Sequence, residues 1–555
     1  VGCLHVRPIL NMKDEAGAKK MRAIAEEAFA MVREYKGSHS GEHGDGLARS
    51  EFHEPMFGSR LVRAFEEVKD LFDPAGVFNP GKIVHAPRMD DRGLFRYKPG
   101  YATMEVDTAL DWTEWGGFAA AVEMCNNNGA CRKREPGVMC PSYRATLDEQ
   151  HLTRGRANTL RLALSGQLGP DAFTSTEMHE TFDLCVSCKA CRRECPTGVD
   201  MAKMKIEFLF HYRRQHGLPL RERLVAYLPR YAPWAARLSF LANLRDRIPG
   251  LARMSQWLTG FSAERRLPRW RRDAFGALPH DAPTASFGRE AADRPSLACG
   301  PRLGPIGEVV LLVDTFNRWF EPENARAALA VLEAAGYRVH LARALDSQRP
   351  LCCGRTFLTA GLVDEARIEA RRVIAALAPY VARGVPIVGL EPSCLLTLRD
   401  EFPSMLPGAE TMELAAHALL FEEFLVQEHD AGRLQLDLKP LPQSQALLHG
   451  HCHQKAFGAM PAVQKALRFV PGLEVHAIEG GCCGMAGAFG FDARHQAISK
   501  KMSEQGPLPA VRAAGPDVLI VADGTSCRQQ IHDFADRHAQ HVARILCAAL
   551  RAAPH

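Results

Sequence analysis

The sequence predicts a multidomain α/β chain in which a helical, cysteine-rich segment precedes two parallel α/β domains. Three observations lead there. The 555 residues are too many for one core. The 17 cysteines fall into zones rather than scattering. Through the C-terminal half, short apolar runs alternate with helical stretches, the pattern of parallel sheets. An apolar fraction of 46% and a charged fraction of 24% exclude collagen-like, low-complexity and disordered classes. There is no uncharged apolar run of about 18 residues to span a membrane, and no signal peptide. A net charge of +5 gives no case for nucleic acid as a partner. The chain is therefore read as cytoplasmic, where thiols stay reduced and cysteine clusters mark metal or redox sites. It enters at Val1-Gly2-Cys3-Leu4 and is read as a fragment lacking its N-terminal part.

Residues 1–87 contain Leu4-His5-Val6, then Ser38-His39-Ser40-Gly41-Glu42-His43-Gly44-Asp45-Gly46, and close on Asn79-Pro80-Gly81-Lys82. Two histidines and a glutamate on paired strands and a Gly-rich turn can bind a divalent metal, with an adjacent histidine as base. The plainer reading is surface His and Glu without a shared site. Residues 88–118, with charges, glycines and aromatics, read as a linker.

Residues 119–217 hold the most specific motif. Cys185-Val-Ser-Cys188-Lys-Ala-Cys191-Arg-Arg-Glu-Cys195-Pro196 is C-x2-C-x2-C-x3-C-P, the bacterial ferredoxin run. Its upstream partner is Cys125, Cys131 and Cys140-Pro141, with Asn128 at the middle cysteine position. In two-cluster ferredoxins the fourth cysteine of each run ligates the other cluster. One cluster then takes Cys140, Cys185, Cys188 and Cys191, a full set for a 4Fe-4S cube. The other takes Cys125, Cys131 and Cys195. With Asn128 a poor iron ligand, it is a 3Fe-4S cluster or a 4Fe-4S cube with one labile iron. The helical stretch between the runs makes this an α-helical two-cluster ferredoxin domain.

Residues 218–305 form a basic connector. Between 218 and 272 there are twelve arginines, no lysine and three acids, with Trp234, Trp257 and Trp270. Short helices packed against the other domains with Arg outward are the favoured reading. A peripheral contact with the inner face of the cytoplasmic membrane, or with an acidic redox protein, is the alternative.

Residues 306–430 and 440–555 repeat one plan. In the first copy, Val309–Val313 runs to Asp314, followed by Cys352-Cys353-Gly354 and Cys394. In the second, Ala446-Leu447-Leu448 runs to His451-Cys452-His453, followed by Cys482-Cys483-Gly484 and Cys527. Each motif stands where a strand gives way to a helix, the place where open α/β folds bind ligands.

This repeat resembles the cysteine-rich CCG domains of heterodisulfide reductase subunits and of the iron–sulfur subunits of glycolate oxidase and anaerobic glycerol-3-phosphate dehydrogenase. The resemblance implies one further cluster, held by Cys352, Cys353 and Cys394 with Cys452, Cys482, Cys483 and Cys527, or by one copy alone. In the family pattern a cysteine leads each copy, and Asp314 stands in that position of copy one. The fold class is thus multidomain α/β, with an α-helical two-cluster ferredoxin domain and two parallel α/β CCG domains. A redox-inert module with remnant cysteines is the competing reading.

Residues 1–87 resemble the C-terminal end of the FAD-linked oxidase family, which includes D-lactate dehydrogenases, glycolate oxidase and D-2-hydroxyglutarate dehydrogenase. The resemblance implies His5 and Glu42 as ligands of a divalent metal such as zinc or manganese, His43 as the base, and Asn79 and Lys82 near FAD. FAD itself would be bound mainly by the absent N-terminal part, so this fragment alone is expected to be inactive. The combined order resembles fused bacterial D-2-hydroxy acid dehydrogenases. It implies a small 2-hydroxy acid substrate and a quinone or redox-protein acceptor. A thiol–disulfide enzyme of the heterodisulfide reductase kind and a non-catalytic electron-transfer protein are the alternatives.

Overall fold

The computed structural model describes residues 6–41, 43–134, 137–276, 306–346 and 349–551. They divide into two compact units, one through Met104 and one from Glu105 onward. Among the described residues no helix is long and apolar enough to cross a membrane.

The first unit is built on helices Glu15–Glu34, His53–Phe57 and Ser59–Phe72. Arg22 of the long helix pairs with Glu51 at 3.1 Å and Asp90 at 2.8 Å, which ties the helix to the segment after the Asn79–Lys82 turn. The strand expected around Leu4–Val6 includes residues outside the described set.

The second unit opens earlier than a linker through residue 118 implies. Leu110 and Trp112 are buried. They are held by Glu207, a fully buried carboxylate on helix Met201–His216. Glu207 accepts from the Ala109 and Leu110 amides at 2.7 and 2.9 Å and from Trp112 Nε1 at 2.9 Å. A buried carboxylate tolerates burial only with such donors around it. The same helix presses on the first α/β copy at Gly361. A Cβ on Gly361 would lie 2.6 Å from the Leu209 backbone, and its φ is +78°.

Each copy is a four-stranded, all-parallel sheet. The first comprises β1 Gly307–Leu312, β2 Tyr337–Leu341, β3 Ile387–Gly389 and β4 Ala418–Leu420, in the order β2-β1-β3-β4. The second comprises β5 Gln445–Leu448, β6 Glu474–Ala477, β7 Leu519–Val521 and β8 Ala539–Gln540, in the order β6-β5-β7-β8. Val310 pairs with His340 and Ile387, and Leu447 with His476 and Ile520. Helices cover both faces of β1, so its run Val309–Leu312 is buried throughout rather than alternating. In each sheet the strand order reverses beside the first strand, which opens a crevice at the strand ends. The copies share a core in which Phe421 and Phe424 of the first meet Val463, Leu467 and Leu546 of the second.

The connector folds into short helices, Leu220–Ala226, Leu228–Arg237, Ser239–Ala242 and Leu251–Thr259. Its arginines do not all face outward. Arg265 is buried and donates to Gln530 Oε1 at 2.7 Å, Ser499 Oγ at 3.1 Å and Asp533 Oδ2 at 3.2 Å. These bonds fasten the connector to the second copy.

Glu207→Ala strands three buried donors and is expected to cost about 3 kcal/mol or more, while Glu207→Gln keeps an acceptor and costs less. Urea unfolding followed through Trp112 fluorescence measures both. Equal stability of the two variants would contradict the role assigned to the carboxylate.

Candidate metal and redox centres

The ferredoxin run is wound tightly. Ser187 and Lys189 both adopt positive φ, at 50° and 60°. Cys185, Cys188 and Cys191 line one small cavity together with Cys140, which enters from helix Pro141–Thr146. Cys140 Sγ lies 3.1 Å from Thr153 Oγ1 and accepts the Thr153 amide at 3.2 Å. Burial pushes the Cys140 thiol up to about 11. Burial and neighbouring thiols also raise Cys188 and Cys191. Thiols crowded in this way stay protonated unless a cationic centre compensates them, so the donor set fits an iron–sulfur core. Arg156 and Lys205 add positive charge beside it.

Cys125 and Cys131 are buried neighbours. Cys195 follows helix Ala190–Glu194, its sulfur 3.3 Å from Thr197 Oγ1. The exposed Asn128 side chain turns into its own loop. Its Nδ2 donates to Asn126 Oδ1 at 2.6 Å and its Oδ1 accepts from the Ala130 amide at 2.8 Å.

In the second copy, Cys452 begins the helix after β5, Cys482-Cys483 follow β6, and Cys527 lies in the first turn of the helix after β7. The Cys482 and Cys527 thiols hydrogen bond to Cys483, which lowers the Cys483 pKa well below the ordinary thiol range. His449 is buried, and among the described residues no oxygen or nitrogen bonds to either of its ring nitrogens. One of them lies within 4.8 Å of the Cys483 and Cys527 sulfurs. Gly484 is required here. Its φ is +82°, and a Cβ would stand 2.2 Å from the Ser499 carbonyl. Four sulfurs and an imidazole that turns to them, all at one sheet end, form a donor set suited to a metal cluster.

The first copy has three thiols, with Cys353 hydrogen bonded to Cys352 and Cys394. The leading position needs a correction. Asp314 caps helix Thr315–Trp319 as His451 caps the helix begun by Cys452, so the counterpart of Cys452 is Thr315. Both Asp314 oxygens are engaged. Oδ1 accepts the Phe316 and Asn317 amides at 2.9 and 3.0 Å, and Oδ2 accepts Asn317 Nδ2 at 2.7 Å. Asp314 is therefore a helix cap in this structure. Glu391 of the first copy reaches into the second, where it accepts the Thr525 amide at 2.9 Å.

A cavity of about 380 Å³ lies where the ferredoxin run meets the second copy. Cys188 and Cys452 line it, with Tyr231 and Trp270 of the connector and Phe320 of the first copy. Burial first, and then the neighbouring Cys452 and Cys191, raise the Cys188 pKa. His453 Nε2 lies 3.2 Å from the Ser187 carbonyl, and Arg193 donates to the Lys455 carbonyl at 3.1 Å. The other flank of the run is held by Lys189. Its buried ammonium contacts Asp400 and lies 2.5 Å from Glu401, which also pairs with Arg355. Burial opposes the Lys189 charge, but the two carboxylates outweigh it and raise its pKa.

In the first unit, His5 and Glu42 lie outside the described residues. His43 is exposed. Asn79 and Lys82 are also exposed and pair with each other at 3.3 Å. Asp73 braces this turn by accepting the Val77 and Phe78 amides at 3.0 and 2.9 Å. The structure gathers a different group, His39, Asp45 and His53. His53 Nε2 is 2.9 Å and His39 Nε2 3.2 Å from the Asp45 carboxylate. No spacing rule singles these out, because only the fold of the chain brings them together.

Lys189→Met leaves Asp400 and Glu401 short of a counter-charge in a buried site and is expected to cost about 3 kcal/mol, with Lys189→Arg milder. Amide exchange across residues 185–194 is expected to quicken. Unchanged protection there would contradict the anchoring role.

Comparison with known proteins follows this layout. Residues 1–83 match the C-terminal domain of FAD linked oxidases, residues 121–199 a 4Fe-4S dicluster domain, and residues 446–532 a cysteine-rich domain. The chain is 30% identical to the D-2-hydroxyglutarate dehydrogenase of Pseudomonas putida, over 98% of this chain and 54% of that protein. It is 26% identical to that of Escherichia coli, over 99% of this chain and 55% of that protein. It is 29% identical to one subunit of the anaerobic glycerol-3-phosphate dehydrogenase of E. coli, over 44% of this chain and 59% of that one. The chain thus spans about half the length of the D-2-hydroxyglutarate dehydrogenases it matches. No solved structure matches it. The chain carries, fused in order, the C-terminal domain of an FAD-linked oxidase, a 4Fe-4S dicluster domain and a cysteine-rich domain, and along almost its whole length it resembles the bacterial D-2-hydroxyglutarate dehydrogenases.

Proposed function

We propose that this chain is the electron-exit half of a flavin-dependent D-2-hydroxy acid dehydrogenase of the D-2-hydroxyglutarate, D-lactate or glycolate type. The acceptor is a quinone or a redox protein. The observation that carries the reading is the juxtaposition of the ferredoxin sulfurs with those of the second copy across one cavity, in a chain whose residues 1–83 match the C-terminal domain of FAD linked oxidases. When bound, the flavin supplies hydride acceptance and the clusters supply one-electron carriage.

This chain's residues have distinct tasks. His43 takes the substrate hydroxyl proton. His5 and Glu42 would hold a divalent metal, such as zinc or manganese, which would supply a binding point for the hydroxy acid. Asn79 and Lys82 would contribute to holding the flavin. Cys140, Cys185, Cys188 and Cys191 hold one cluster, and Cys125, Cys131 and Cys195 a second. Cys452, Cys482, Cys483 and Cys527 hold a third. Copy one, with only Cys352, Cys353 and Cys394 and with Thr315 in the leading place, contributes framework and the reach of Glu391 into copy two.

The test is oxidation of D-2-hydroxyglutarate, D-lactate and glycolate, with a dye acceptor, by a flavin-loaded protein that carries this chain together with an FAD-binding domain. His43→Asn is expected to lower kcat by about 10²–10⁴-fold at unchanged iron content. Heterodisulfide reduction that survives His43→Asn, with no hydroxy acid oxidised, would overturn the reading in favour of a thiol–disulfide enzyme.

A further inference from the structure

The connector has two unlike faces. Tyr231, Leu267 and Trp270 turn inward and line the cavity beside Cys452. The outer face carries Trp234, Phe240, Leu241, Met254, Trp257 and Leu258, all exposed, with Trp257 at 83% and Trp234 at 65%. Single exposed apolar residues are ordinary, but a concentration of them marks a contact surface. These sit on three consecutive short helices, Leu228–Arg237, Ser239–Ala242 and Leu251–Thr259, which pack in series through the turn Leu244–Asp246.

The charges on the connector are sorted. Arg230 pairs with Glu365 and Glu369, Arg245 with Asp246, and Arg265 with Asp533. Arg237, Arg247 and Arg253 are exposed among the apolar side chains, and among the described residues no acid pairs with them. Arg237 lies 5.2 Å from the Trp234 ring centroid. Between Leu228 and Leu258 the sole acid is Asp246, which is occupied by Arg245 and by the Leu267 amide at 3.0 Å. A second copy meeting this face about a two-fold axis would set arginine against arginine with no acid available. Indole rings and aliphatic side chains bordered by unpaired arginines suit the headgroup region of an anionic membrane.

We propose that residues 228–258 are a docking surface for an anionic lipid bilayer, lying in its interface without crossing it. This inference stands on the surface alone. Only its consequence rests on the electron-transfer reading: docking sets the wall formed by Tyr231, Leu267 and Trp270 toward lipid, the side from which a lipophilic acceptor would enter.

The test is co-sedimentation of the whole chain with vesicles of phosphatidylcholine, with and without phosphatidylglycerol. The expected binding is about tenfold or more tighter to the anionic vesicles and weakens with salt. The triple variant Arg237→Glu/Arg247→Glu/Arg253→Glu is expected to lose about tenfold or more of that affinity, and Trp257→Ser a further share, at unchanged melting temperature. Brominated acyl chains are expected to quench the tryptophan fluorescence of the unmodified chain, a readout that needs no variant. Absence from the vesicle pellet, or binding that both variants leave unchanged, would overturn the proposal. A dimer that Trp257→Ser converts to monomer, without vesicle binding, would overturn it and assign the face to a second copy.

Discussion

The ammonium of Lys189 is held inside the protein by Asp400 and Glu401, and the placement of the sulfur-bearing loop follows from that contact. Lys189 stands between Cys188 and Cys191 at a positive φ, and its side chain leaves the loop toward the first copy. A buried cation without its carboxylates would cost several kcal/mol, so the loop is stable only where the first copy supplies them. With Lys189 docked there, the opposite flank of the loop meets helix Cys452–Ala456, where His453 and Lys455 complete the seat. The adjacency of Cys188 and Cys452 is a consequence of both contacts.

The duplicated sheets provide the second half of that geometry. Copy two puts its cysteines at the ends of its first three strands, and copy one at the ends of its second and third, where the strand order reverses. The copies are joined so that these ends face each other: Glu391 accepts from Thr525, and the Leu390 carbonyl lies 3.1 Å from His541 Nε2. The repeat has nevertheless diverged. Copy two keeps four sulfurs, Cys483 among them, whereas copy one replaces the leading thiol with Thr315 and uses the preceding Asp314 as a cap. The equivalent step is Gly524 in copy two, where a Cβ would meet the His451 ring at 2.4 Å, and Glu391 in copy one, whose side chain bonds to the other copy. In the proposed reading, copy two is the site and copy one its support.

Much of this is legible in the sequence because cysteine spacing is a direct record of local geometry. Cys185 to Cys195 wind into one tight loop, each Cys-Cys-Gly motif follows the second strand of its repeat, and the apolar runs after residue 306 correspond to the parallel strands. What is not legible depends on register or on contacts distant in the chain. Asp314 reads as the leading residue because counting from an apolar run cannot tell a helix cap from the first helical residue. Residues 105–118 read as a linker because the carboxylate that buries them, Glu207, is nearly a hundred positions away. The inward turn of Arg265 depends on Gln530, Ser499 and Asp533 together, and the grouping of His39, Asp45 and His53 on the fold of the chain.

The proposed relay of three sulfur groups, ending in the second copy, implies a definite metal content. Iron and acid-labile sulfide per chain, with electron paramagnetic resonance on anaerobically purified protein, measure it. The expected content is about eleven to twelve irons, with a three-iron signal that Asn128→Cys abolishes and a share of about four irons that Cys482→Ser removes. A content of about eight irons unaffected by Cys482→Ser would contradict the centre in the second copy. Zinc in place of iron would contradict the relay as a whole.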